Sequence, residues 1–579
     1  MRNVLVAVVT AGVLLGGGAL SAWQAPYRTL NDRFAAPRFT TLDAWNQRAA
    51  YVREHVLASA GLMPMPDKTP LRPSISGEIT HPDYTVSKVY FESLPGFFVT
   101  GNLYRPIGPG PFPAILSPHG HWTYGRLENT VINSGPGRAI GLARQGFVTF
   151  TYDMVGYNDS QQLPHTFDGR RERLWGLTLA GLQLWNSIRA LDFLEALPEV
   201  RRDAIGVTGE SGGGTQTFLL AAVDPRVAVA APVNMISLHM QGGCLCENEP
   251  GLRLELNNVE IAAAIAPRPL LMVSATGDWT AETLEVEYPA VRRAYELFDA
   301  VDRVQAVRFT AEHNYNKDSR EAMYAWMARW LKNAAADVRV TERSFTVDPL
   351  QNLLVFYQRG LPPNAVTPAA LTDHWIESAK RQLAAGTPAS FAASMRHALG
   401  FAAETAPAAA RFNRTVLLAA ADGALEPALA RAGFRVVPIA FTPFDAAAAA
   451  KVSQFETYNR TAAGQRVADI VAAARANPGA ALVADGDAAL AGLLAAAVVP
   501  VPAAVLDVGP FDASSDADFL EHLYIPGLRR AGDLPVAAAM ARGEIVVHNA
   551  GERFVVKGLR VQGSKLTPGE VAAALSKMK

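Results

Sequence analysis

The run Gly209-Glu210-Ser211-Gly212-Gly213 sets one serine among small neighbours. A nucleophilic serine needs such company, because its hydroxyl must stand clear of a backbone that bends sharply beneath it. Ile205 to Thr208 reads as a strand ending at Gly209, and Thr215 to Ala222 reads as a helix. Strand, tight turn and helix are the parts of a nucleophile elbow, and the start of the helix offers free N–H groups to developing negative charge. The plain alternative is a glycine-rich turn that only caps a helix.

A serine nucleophile requires a base and a group that orients the base. Leu270 to Ser274 is an apolar run with Asp278 in the turn that follows it, and Val304 to Phe309 is the next run, followed by Glu312-His313-Asn314. Ser211, Asp278 and His313 therefore stand in an order, and in loops after strands, that suit a nucleophile, an orienting acid and a base. Asp299 and Asp302 are rival acids. The oxyanion would be held by the N–H of Gly212 and by the loop Pro118-His119-Gly120-His121-Trp122, in which Gly120 permits close backbone approach and the N–H of His121 is the expected donor. Trp122, Trp279 and Tyr315 flank these residues as candidate walls of a substrate pocket, with core packing as the alternative. The segment Met154 to Arg173 is long enough for a lid, and its Arg170, with Arg171 and Arg173, is either a partner for an acidic sugar or solvated surface.

Metal ligation is not expected. Cys244 and Cys246 form a C-x-C between His239 and Glu247, but the run lacks a separated second ligand pair, and His119 and His121 lack a spaced third ligand. Two cysteines cannot make a disulfide framework; a strained local disulfide, a structural loop at the site's mouth and free buried thiols all remain open. No cofactor is required by this set of residues.

The elements that would position the site alternate along the chain. Strand-like runs at Val86–Glu92, Phe97–Tyr104, Ala114–Ser117, Phe147–Tyr152, Ile205–Thr208, Val227–Ala231, Leu270–Ser274 and Val304–Phe309 are interleaved with helical patterns. The later runs are continuously apolar, as parallel strands buried on both faces must be, so a doubly wound α/β sheet is predicted, entered through an amphipathic helix within 38–62. Beyond Asn333 come a strand candidate at Val338–Phe345 and two alanine-rich helices. A second alternating series follows: Thr415–Ala419, Phe434–Phe441, Ala480–Ala484, Ala503–Val508, Glu544–His548 and Arg553–Lys557. The boundaries read from this are a catalytic α/β domain with an N-terminal helical extension over 23–335, a helical connector over 336–412 and a second α/β module over 413–579.

Composition excludes other classes. Among 579 residues, 53 Lys and Arg balance 54 Asp and Glu for a net charge of -1, so no polyanion-binding surface of the nucleic-acid type is expected. With 49% hydrophobic and 18% charged residues the chain can bury large cores and is not disordered. Residues 1–22 follow the plan of a secretory signal: a basic start at Arg2, an apolar run from Val4 to Leu15 and small residues up to Ala22. An exported protein, periplasmic or secreted and free of the membrane after cleavage, is the expectation, with an uncleaved anchor as the alternative.

At Ser117–Trp122, Gly209–Thr217, Cys246–Arg253, Ala266–Trp279 and Glu312–Asp318 the chain resembles bacterial α/β-hydrolases of the acetyl xylan esterase and dienelactone hydrolase type, over roughly residues 75–335. The resemblance implies an α/β-hydrolase fold with Ser211, Asp278 and His313 as nucleophile, acid and base, and ester hydrolysis through an acyl-enzyme, on carbohydrate esters such as acetylated hemicellulose or on uronate esters. The second module is similar to a decayed hydrolase domain, with Asp487 in the region of the elbow, and is expected to be catalytically silent. A serine peptidase of the prolyl-oligopeptidase kind uses the same residue order, but the roughly 50 residues before the sheet cannot form its propeller. A non-catalytic glycan-binding protein is the remaining alternative.

Overall fold

The computed structural model describes residues 27–35, 38–402 and 411–578. The expected signal segment lies outside the described residues. Among the described residues no helix is long and apolar enough to cross a membrane.

The first sheet has nine strands: β1 (Ser74–Thr80), β2 (Tyr84–Leu94), β3 (Phe97–Pro106), β4 (Phe112–Pro118), β5 (Val148–Tyr152), β6 (Val200–Glu210), β7 (Val227–Val233), β8 (Leu270–Gly277) and β9 (Val304–Glu312). Their order is β1-β2-β3-β5-β4-β6-β7-β8-β9. The meander β1 to β3 and its junction with β5 are antiparallel, and every later pairing is parallel. β6 is buried without a break from Ala204 to Glu210, because helices cover both of its faces. One of those helices, Leu179–Ala196, begins where the Thr178 side chain accepts the Gly181 N–H. Trp185 within it is fully buried and donates its indole N–H to Ser93 O at 2.9 Å, so helix and β2 are tied as well as packed. A truncation such as Trp185→Ala would cost about 3–5 kcal/mol.

The second sheet contains β10 (Thr415–Ala419), β11 (Arg435–Pro438), β12 (Ala481–Asp485), β13 (Ala503–Asp507), β14 (Glu544–His548) and β15 (Arg560–Val561), all parallel, in the order β11-β10-β12-β13-β14-β15. That order repeats the order β5-β4-β6-β7-β8-β9 of the first sheet's parallel part. β12 thus holds the place of β6. The residue that follows each strand has the same left-handed bend: Ser211 at φ 56° after β6, and Gly486 at φ 52° after β12. Gly486, one residue before Asp487, therefore stands where a nucleophile would.

The stretch between the sheets is shared by the two cores. Leu371, Trp375, Ile376 and Ala379 of helix Pro368–Ala385 join the first core, whereas Phe391 and Met395 of helix Pro388–Ala398 join the second. Two expected strands are absent. Val338–Phe345 runs as an unpaired strap held by side chains, with Glu342 on Arg320 at 2.6 Å and accepting from Tyr324 Oη at 2.9 Å. Arg553–Lys557 is a loop that buries Phe554 and Val556 while Val555 is exposed, an alternation that mimics a strand.

Candidate active site

Ser211 sits between β6 and helix Gly212–Val223 with φ 56° and ψ -124°, a strained conformation for a non-glycine residue. The turn closes only because its neighbours are small: an ideal Cβ on Gly209 would lie 2.5 Å from Pro118 O. The amide of Gly212 opens the helix, where N–H groups have no intrahelical acceptor.

His313 and Asp278 are joined. The imidazole Nδ1–H donates to Asp278 Oδ2 at 2.8 Å, and the Asp278 side chain is only 2% exposed. Its other oxygen accepts Thr280 N–H at 2.7 Å and Thr280 Oγ1–H at 2.5 Å, which fixes the carboxylate plane. With Nδ1 committed as donor, Nε2 is the lone-pair nitrogen, and it is buried without a hydrogen-bond partner. The structure has no Ser211–His313 hydrogen bond among the described contacts. Gly120 lies close to both Ser211 and Trp122, since a Cβ on it would meet Ser211 Cβ at 3.0 Å and Trp122 Nε1 at 3.1 Å, and the Trp122 ring is stacked on His313 at 6.2 Å between centroids. Trp279 also flanks His313, at 4.5 Å, with an indole N–H that has no protein acceptor. Asp302 and Asp299 lie in the turn that precedes β9, at the opposite end of that strand from His313.

The loop 118–122, expected to hold the oxyanion, is itself held by two buried groups. His119 donates Nδ1–H to Gly120 O at 2.7 Å and accepts the Met154 N–H on Nε2 at 2.9 Å; burial lowers its pKa to about 3, so it stays neutral. Glu210, the residue before Ser211, is fully buried and accepts Gly120 N–H at 3.1 Å and Trp122 Nε1–H at 2.7 Å on Oε1. Its Oε2 is paired with Arg138 at 2.8 Å. The amide of Trp122 donates to Gly120 O, and no acceptor for the His121 amide is found among the described residues. Glu210 occupies the variable position of the elbow motif, so its type carries no signal in the sequence.

Two expected pocket residues are placed elsewhere. Tyr315 is fully buried, its hydroxyl 2.6 Å from Thr208 Oγ1 and its ring 4.4 Å from the Arg138 guanidinium; it anchors the His313 loop to β6 and does not line a pocket. Arg170 donates to Leu520 O at 3.1 Å and lies over the Tyr524 ring at 4.2 Å, both in the second module. Arg171 pairs with Asp516 at 2.9 Å and Arg173 with Glu456 at 2.9 Å, so the arginines of the 154–173 segment are spent on the junction between modules. The expectation of no metal ligation rested on the want of a second ligand pair near Cys244 and Cys246. The fold supplies one: His121 Nε2 lies 2.9 Å from Cys246 Sγ, and His165 Nε2 lies 3.4 Å from Cys244 Sγ.

The strand order, the bend at Ser211 and the Asp278–His313 pair give the first module the α/β-hydrolase fold. No protein-family model matches the chain. Methylesterase BT1017 aligns with 60% of this chain and 78% of its own, at 29% identity and a TM-score of 0.51. YtaP of Bacillus subtilis (strain 168), described as a hydrolase, is 25% identical over 260 residues, 42% of this chain and 84% of that protein. The 2,6-dihydropseudooxynicotine hydrolase of Paenarthrobacter nicotinovorans is 33% identical over 123 residues, 21% of this chain and 28% of that protein.

Proposed function

We propose that the protein is an exported serine carboxylic-ester hydrolase that acts on carbohydrate esters through an acyl-enzyme. The observation that carries the reading is a Nδ1-committed His313, held by Asp278 with Nε2 unpaired, in the same module as a serine on a strained bend between strand and helix. Ser211 Oγ attacks the ester carbonyl while His313 Nε2 takes its proton. Asp278 stabilises the imidazolium so formed. The carbonyl oxygen, now negative, is held by the Gly212 N–H and the His121 N–H. Collapse of the tetrahedral species breaks the bond to the alcohol, which leaves with the proton from His313. Water, deprotonated by the same nitrogen, then releases the acid and restores Ser211.

Acetyl esters of a hemicellulose are the first substrate class. Methyl esters of a uronate are the second, favoured by the similarity to Methylesterase BT1017. With Arg170, Arg171 and Arg173 engaged by the second module, that module serves to brace the 154–173 segment, and Gly486 at its elbow leaves it without a nucleophile.

The test pairs wild type with Ser211→Ala on acetylated xylan and on methyl-esterified pectin, scoring acetate and methanol separately, alongside fluorophosphonate labelling. Release by wild type alone, with labelling confined to Ser211, supports the reading. Equal activity in both proteins removes Ser211 as nucleophile, and no turnover on any ester by a folded, unlabelled wild type removes the esterase reading.

A further inference from the structure

We propose that His121, His165, Cys244 and Cys246 form a binding site for one tetrahedrally coordinated divalent cation, zinc in the first instance, beside the oxyanion loop. The four donor atoms lie within 4.8 Å of one another. Zinc bonds of ~2.3 Å to sulfur and ~2.0 Å to nitrogen give a tetrahedron with edges of ~3.3–3.8 Å. The His165–Cys244 separation of 3.4 Å falls on that scale, and the His121–Cys246 separation of 2.9 Å would open slightly on binding.

The donor chemistry selects the metal. Two thiolates and two imidazoles suit zinc and similar borderline-soft ions, and they offer magnesium or calcium none of the oxygen ligands those ions need. All four positions are filled by protein, so the ion would be structural, with no place left for a reacting water.

The surroundings are built as a ligand's outer layer is built. His165 donates Nδ1–H to Val155 O at 2.6 Å, which orients the ring and leaves Nε2 as the lone-pair atom on the side of Cys244. The Glu247 carboxylate accepts the N–H groups of Gly243 and Cys244 at 2.8 and 3.0 Å, and Asn248 Nδ2 donates to Cys244 O at 2.7 Å. These bonds curl the C-x-C turn so that both sulfurs face the histidines. Cys246 is fully buried, and the other three ligands are partly so.

Binding would convert two thiols to thiolates and release two protons to solvent, with no change of oxidation state. It would also join three segments that are remote in sequence: the oxyanion loop through His121, the 154–173 segment through His165, and the turn at Cys244 and Cys246. The His121 ring lies against the helix start after Ser211, where a Cβ on Gly212 would come 2.5 Å from His121 Cε1. Fixing that ring fixes the amide beside it.

The proposal does not depend on the esterase reading, and neither does its test. Tag-free protein, isolated without reductant and then again after reduction and buffer exchange, is assayed for thiols and equilibrated with micromolar zinc, and bound metal is counted. Cobalt substitution adds a spectroscopic check, since thiolate charge-transfer and tetrahedral d–d bands report this ligand set. The expected result is one equivalent of zinc per chain, with affinity at least ~100-fold weaker in Cys246→Ser and in Cys244→Ser and ~10–100-fold weaker in His165→Gln. Circular dichroism of each variant separates loss of metal from loss of fold, and His165→Gln, on a loop, serves if a cysteine variant does not fold. Two titratable thiols with no zinc bound overturn the proposal. So does a Cys244–Cys246 disulfide in the protein isolated without reductant, and so does full zinc occupancy in all three variants.

Discussion

The carboxylate of Glu210 accepts the indole N–H of Trp122 at 2.7 Å, so the residue before the elbow serine holds the far end of the 118–122 loop. The same carboxylate takes the Gly120 amide and balances Arg138, and both charges are buried. Glu210 thus positions the 118–122 loop from within the core.

Glu210→Gln keeps an acceptor for Gly120 or Trp122 but leaves Arg138 as an uncompensated buried charge. Denaturant unfolding should show a loss of about 3–5 kcal/mol. In the protein that remains folded, kcat should fall by about 10²-fold with KM little changed, the scale of a displaced oxyanion donor. An unchanged kcat would separate Glu210 from the loop's function.

Asp278→Asn should reduce kcat by about 10⁴-fold at neutral pH while the fold is kept. An amide in place of the carboxylate offers His313 a donor and favours the tautomer with Nδ1 unprotonated, which takes the lone pair from Nε2. Steady-state kinetics beside the Thr280→Val variant, which loosens Asp278 without removing it, should show a much smaller loss for the latter.

His55 and His397 meet at 3.1 Å between their Nδ1 atoms, and His55 also donates Nε2–H to Gly251 O. Burial, with the neighbouring His397 second, lowers His55 to about 3, and burial lowers His397 to about 4. Both folded values are depressed below the unfolded value near 6.5, so the unfolded chain binds protons that the folded chain refuses. The stability contributed by neutrality is whole above pH ~6.5 and is lost as the pH falls towards 3. His55→Gln should flatten the fall of unfolding free energy between pH ~6 and ~4 by up to ~1.4 kcal/mol per pH unit relative to wild type. Parallel curves would place the acid sensitivity elsewhere.

Asp516 of the second module accepts Arg171 Nε–H at 2.9 Å, Trp175 Nε1–H at 2.9 Å and Arg529 Nη1–H at 2.7 Å. Asp516→Ala should cost about 1–3 kcal/mol, since Arg171 is half exposed and its share is screened. Limited proteolysis should become faster within 154–175, and KM for a polymeric ester should rise more than KM for a nitrophenyl ester. Equal shifts for both substrates would argue that the brace shapes no part of the polymer's path.

Most strands of both sheets, and the turns bearing Ser211 and Asp278, are legible in the sequence because a strand buried on two faces is a continuous apolar run, and these two residues follow such runs; β9, which precedes His313, is an edge strand only partly buried, and the edge strands β1 and β15 carry no such signal. Where tertiary partners decide, local pattern is silent. Val338–Phe345 has strand-like residues, but no edge is presented to it and its polar side chains find Arg320 and Tyr324 instead. Tyr315 reads as a pocket aromatic from its neighbours, yet Thr208 captures its hydroxyl inside the sheet layer. His121 and Cys246 are 125 residues apart and no local pattern joins them. Asp487 is the polar residue nearest the second elbow in the sequence, whereas the backbone bend falls on Gly486.

The two elbows form an internal control on the thermodynamics of keeping a nucleophile. A non-glycine residue held in the left-handed region costs of the order of 1–3 kcal/mol, and glycine pays far less there. The module with Gly486 has the bend without that cost, whereas the module with Ser211 bears it. Ser211→Gly should therefore be inactive and more stable than wild type by about 1 kcal/mol of unfolding free energy, and an inactive variant no more stable than wild type would show that the bend at Ser211 is held without cost.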